Sequence, residues 1–138
     1  MSNIIRTKRV IQETKHICGI IYIYIILDYY NTSIEFTDII SSIKNHLYSG
    51  TAKELKDIIE KYHFSFCGYK MSIKNLLLQP PPFILHWEFN HYIVYEGTKN
   101  HLIYLNDPIQ GHIKMNIKDF SKHFTGFVFM IRPINVGK

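Results

Sequence analysis

A chain of 138 residues with 46% hydrophobic and 20% charged content can bury a core of its own, so a single domain over 1–138 is the expectation. The net charge of +5 does not point to nucleic acid, because the lysines stand among acids at helical neighbour spacings, as in 53-KELKDIIEKY-62, and form no basic tract. A lone membrane span is excluded as well: the most apolar run, 20-IIYIYIIL-27, is far shorter than the roughly 20 residues a span requires.

In chain order, the start MSNIIRTKRV has no signal-peptide pattern, since its apolar run comes too late and no cleavage site follows. Cytoplasmic location and free thiols at Cys18 and Cys67 are therefore expected. The segment from about Ile17 to Tyr30 is open between two states. Its β-branched residues favour a strand, while its length and unbroken apolar character favour a buried helix. Apolar residues at helical spacing predict a helix in 36-FTDIISSIKNHL-47, and 51-TAKELKDIIEKYHF-64 opens with a capping box formed by Thr51 and Glu54.

Short apolar or alternating runs then predict strands at 65-SFCGYK-70, 83-FILHWE-88, 91-HYIVYEG-97, 101-HLIYLND-107 and 126-GFVFMIRP-133. The tripeptide 80-PPP-82 fixes a short extended connection, and 98-TKN-100 and 108-PIQG-111 read as turns. Asn116 and Asp119 cap one more short helix in 116-NIKDFSKHF-124. Helices first and an antiparallel sheet second make an α+β fold. Cys67, on the first strand with Phe64, Phe66 and Tyr69, is expected to be a small core hydrophobe.

The apolar run at 91–97 is preceded by Trp87 and Asn90 and opens on His91, polar ring nitrogens and an amide where a core would want none. If 91–97 and 101–107 pair as a hairpin, His91 at the start of one strand lies beside Asp107 at the end of the next. An imidazole and a carboxylate then meet at one edge of the sheet. Cys18, if its segment is the helix, stands at a helix N-terminus, where the dipole and unpaired amides favour a thiolate. Each of these residues also has a plain reading: an inert buried thiol, a histidine bounding a strand, and turn chemistry in 107-DPIQG-111. The other histidines, at 16, 46, 63, 86, 101, 112 and 123, show no metal-ligand spacing, and no metal or cofactor is expected.

The array 12-QETKHICG-19, 86-HWEFNH-91, 106-NDPIQG-111 and 124-FTGFVFMIRP-133 resembles the papain-like cysteine peptidase domain found at the N-terminus of peptidase-containing ABC transporters. Those domains remove double-glycine leader peptides from bacteriocins, lantibiotics and quorum peptides. The likeness runs from about Arg9 to Pro133, and it is strongest to the branch that handles nitrile-hydratase-type and lantibiotic leaders. It implies that 18–30 is the central helix of a papain-like fold. It further implies Cys18 as nucleophile, His91 as general base and acid, Asp107 as the residue orienting His91, and Gln12 with the Cys18 amide as oxyanion hole. Trp87 reads as core or as a wall of the substrate groove. Two departures stand out: Ile17 and 20-IIY-22 flank the cysteine where acidic and small residues are common, and 62-YHF-64 stands where a glycine is common, so His63 or a neighbour is expected in the left-handed cap.

The resemblance implies a cytoplasmic endopeptidase, at the inner face of the membrane, that cleaves precursors after Gly-Gly or Gly-Ala. The partners it implies are a precursor with an amphipathic helical leader and the membrane and ATPase parts of a transporter, on the same chain or a separate one. A catalytically inactive leader-docking domain is the alternative, and the presence of Cys18 argues against it. A nucleic-acid module using the positive charge is the remaining rival.

Overall fold

The computed structural model describes residues 4–10, 18–31, 33–44, 52–88 and 91–134, with side chains described at all of these except 18, 19, 40, 42–44 and 52–54. Three helices come first, α1 (Cys18–Tyr30), α2 (Phe36–Lys44) and α3 (Ala52–Lys61). They are followed by β1 (Phe64–Lys70), α4 (Ile73–Leu76), β2 (Phe83–Trp87), β3 (His91–Lys99), β4 (Leu102–Asp107), β5 (Gly111–Asn116), α5 (Ile117–Ser121) and β6 (Phe124–Pro133). The strands form one antiparallel six-stranded sheet in the order β1-β6-β2-β3-β4-β5.

The segment left open between strand and helix is α1. Ile20 to Leu27 are all buried, none more than 6% exposed, which is what a helix apolar on every side requires. It packs with Ile39 of α2, Ile59 of α3 and the inward residues Ile84, Val94 and Ile131 of the sheet. On the opposite face Phe83, Leu85, Trp87, Ile93, Tyr95, Ile103, Leu105 and Val128 form a second core, closed by Leu76 of α4 and Phe120 of α5. The central strands are thus covered on both sides, so their sequences read as continuous apolar runs rather than alternating ones.

Several boundaries differ from the sequence expectation. Gly111–Asn116 is a strand, β5, where only a turn ending at Gly111 was read. As the edge of the sheet it has one solvent face, and Ile113 and Met115 alone mark its inner side. The β3–β4 hairpin turns at Asn100 and His101, both at positive φ, rather than over 98–100. Cys67 is exposed, not a core residue. It lies opposite Met130 on edge strand β1, on the side away from Phe64 and Phe66, beyond the reach of the second core. The left-handed position between α3 and β1 falls on His63, at φ 67°, as the missing glycine implied. Asn116 caps α5 as expected, accepting from the Asp119 N–H. The capping-box residue Thr51 lies outside the described residues.

Candidate active site

Strand β3 begins at His91, opposite Trp87 of β2, and β4 ends at Asp107, so the hairpin sets imidazole and carboxylate side by side. His91 Nε2–H donates to Asp107 Oδ1 at 3.1 Å, with the carboxylate 3% and the imidazole 20% exposed. The same Oδ1 accepts from the Ile109 N–H at 2.9 Å. Asp107 is therefore at once the cap of its turn and the partner of the histidine. Burial by itself would raise the Asp107 carboxyl, but the His91 hydrogen bond and the backbone N–H groups of Ile109 and Gln110 outweigh it and hold the group below the usual carboxylate range. An ionised Asp107 that engages Nε2 leaves Nδ1 as the basic nitrogen of the ring.

Helix α1 reaches this pair through Tyr22, in its second turn. The Tyr22 ring meets His91 edge-on, with centroids 6.4 Å apart, and its hydroxyl donates to the Tyr92 carbonyl. Position 18 lies one turn before Tyr22 on the same stripe of the helix, at the N-terminus. The Cys18 side chain lies outside the described ones, and Gln12 outside the described residues.

Trp87 is buried, stacked on His123 and tilted against Phe120, so it belongs to the second core. It also borders a cleft of about 330 Å³ with Glu88, His91, Asp107, Ile109 and Gln110. Its bulk thus lies in the core and its edge on the cleft.

A buried polar cluster beside the pair has no counterpart in the sequence reading. Glu96 is fully buried and accepts from the Thr7 N–H and hydroxyl, both at 2.7 Å, from Arg6 at 3.3 Å and from His112 at 3.1 Å. Asn106, next to Asp107 and also fully buried, donates to Thr7 Oγ1 and to the Lys8 carbonyl. No local motif announces this cluster; the one clue was a carboxylate inside the apolar run of β3.

Residues 6–135 match the model of the Peptidase C39 family. The chain belongs to that family. Among curated relatives, this C39 chain is 28% identical over 132 residues to the lactococcin-G-processing and transport ATP-binding protein LagD of Lactococcus lactis, covering 91% of the chain and 19% of the relative. It is 23% identical over 116 residues to the colicin V secretion/processing ATP-binding protein CvaB of Escherichia coli, covering 84% and 17%. The chain spans about a fifth of the length of these relatives. The fold matches a double glycine motif protease from an AMS/PCAT transporter, solved with its leader peptide, at a TM-score of 0.80 and 24% identity over 94% of each chain. It also matches the peptidase domain of Streptococcus ComA, a bifunctional ABC transporter, at a TM-score of 0.72 and 21% identity, covering 90% of this chain and 96% of that one. The architecture is the papain-like α+β fold of C39 peptidase domains, and no helix among the described residues is long and apolar enough to cross a membrane.

Proposed function

We propose that this C39 chain is a cysteine endopeptidase that removes the leader from a bacteriocin- or lantibiotic-type precursor, cutting after a Gly-Gly or Gly-Ala pair. The observation that carries the reading is the His91–Asp107 hydrogen bond with Tyr22 of α1 against the imidazole, one turn after Cys18 at the start of that helix.

His91 Nδ1 accepts the proton of the Cys18 thiol, and the helix N-terminus together with the imidazolium stabilises the thiolate. The thiolate attacks the carbonyl carbon of the second small residue. The oxygen that becomes negative is held by the Gln12 amide and the Cys18 backbone N–H. As the C–N bond breaks, His91 gives its proton to the leaving amine and the leader remains as a thioester. Water, deprotonated by His91, then releases the leader carboxylate and restores the thiol. Throughout, the ionised Asp107 keeps the ring oriented and favours its charged form.

Glycine at the cut makes physical sense if the cleft at the nucleophile is too narrow for side chains, and upstream the leader docks as an amphipathic helix with apolar anchors in a groove. The relatives' names, which join processing to transport, support coupling to an ABC transporter and a place at the cytoplasmic face of the membrane. The test is incubation of the chain with a precursor carrying a Gly-Gly leader and determination of product masses. Cleavage after the second glycine is expected, with none in Cys18→Ala. An intact precursor, or cleavage elsewhere, would refute the proposal.

A further inference from the structure

Asp107 stands just past the end of the ladder that would fix it. The pairing of β3 with β4 stops at Val94 and Asn106, one residue short of Asp107. On the other side Asp107 and Gly111 are the last pair of β4 with β5 before the turn. Sheet hydrogen bonding therefore leaves the partner of His91 at a strand end, where ladders open most easily.

The N-terminal arm ties down the residues on either side of it. Before Asp107, the fully buried Asn106 donates through Nδ2 to Thr7 Oγ1 at 2.8 Å and to the Lys8 carbonyl at 2.9 Å. After it, the Pro108 carbonyl accepts from Arg9 Nη1 at 3.0 Å. The Arg9 guanidinium also lies over Gly111, so closely that a Cβ there would stand 2.9 Å from its Nε and would displace it. Asp107 is thus bracketed by ties to one short stretch of the arm, residues 7–9. That stretch is in turn held by the Glu96 clamp. Glu96 is the extra residue of a β-bulge in β3, between the pairs Tyr95–Leu105 and Gly97–Tyr104, and its buried carboxylate accepts from the Thr7 N–H and hydroxyl. Thr7 Oγ1 therefore donates to Glu96 and accepts from Asn106, one polarised chain from a buried charge to the neighbour of Asp107. Asn106 Oδ1, by contrast, is buried with no hydrogen-bond partner among the described residues. An unpaired buried acceptor lowers stability, so packing alone does not account for an amide at 106.

We infer that Arg9 and Asn106 are positioning residues for catalysis: bound to each other's segment across the arm, they hold the Asp107 carboxylate on His91 Nε2. The inference rests on the reading of Asp107 as the residue that orients His91. Arg9 is the sharper probe of the two, because it is exposed and its replacement should change stability little.

The test is a double-mutant cycle in single-turnover cleavage of a Gly-Gly precursor, with leader affinity measured separately in a Cys18→Ala background. Arg9→Ala removes the tie to Pro108, and Thr7→Val removes the hydroxyl acceptor that Asn106 uses. Each is expected to lower the rate about tenfold in the wild-type background, since small errors of alignment are costly, with leader affinity unchanged. In an Asp107→Ala background each should change the slow residual rate less than about twofold, because the group being held is gone. The same loss in both backgrounds would mark a general structural role and overturn the inference, as would a wild-type rate for either variant or a loss confined to leader affinity. An Asp107→Ala enzyme with wild-type rate would instead overturn the orienting role of Asp107, and the inference with it. The Asp107→Ala rate therefore tells the two failures apart.

Discussion

At the scale of single residues, the division of labour at the site follows from which ring nitrogen Asp107 holds. With Nε2 engaged by a buried carboxylate, the mechanism proposed above gives the acid–base work to Nδ1 and lets the carboxylate fix the tautomer and stabilise the imidazolium. Asp107→Asn is therefore expected to lower kcat by up to about 10⁴-fold while leaving measurable turnover. Pre-steady-state rates check this, and a wild-type rate for Asp107→Ala would return the residue to its turn. The same carboxylate makes stability depend on pH. Its folded-state pKa is depressed, so its contribution is present above the unfolded value of about 3.9 and is lost as pH falls through the folded value. The stability difference between wild type and Asp107→Asn should accordingly be full near neutrality and shrink below about pH 4. Denaturant titrations at stepped pH measure it.

At the scale of elements, the hairpin and the central helix make the site by their ends. β3 starts and β4 stops beside Tyr22 of α1, so groups distant in sequence meet at one rim without any long loop. The join between α3 and β1 lies far along the chain from that rim and carries a strain of its own, His63 at φ 67°. His63→Gly should raise stability by about 0.5–1 kcal/mol, the relief of left-handed strain less the added freedom of glycine in the unfolded chain. Cleavage rates should not change. A small rise in Tm with unaltered kcat/KM is the expected pair of results, and a fall in Tm would show that the imidazole contributes more than its backbone costs.

At the scale of the whole molecule, what could be read in the sequence was what is local. Helix-first, sheet-second order, the short cap at Asn116 and the adjacency of His91 and Asp107 follow from spacing and a hairpin. The residues alone left α1 undecided because a helix buried all round has no polar stripe to give its period; the family resemblance settled it. Strand β5 escaped because an edge strand keeps only two inward apolar residues, and Cys67 was misplaced because alternation does not say which face of an edge strand is covered. The Glu96 clamp was invisible for a deeper reason. Its members, at 6, 7, 96, 106 and 112, come together only through a bulge and three strands.

Covalent catalysis by Cys18 passes through a thioester, which can be sought directly. A Gly-Gly precursor is mixed with the chain, quenched in acid during the first turnover, and the intact and digested masses are measured. The result predicted is a transient gain equal to the leader minus one water, located on the fragment that contains Cys18 and absent from Cys18→Ala. Cleavage that proceeds with no adduct, or an adduct on the exposed Cys67, would contradict it.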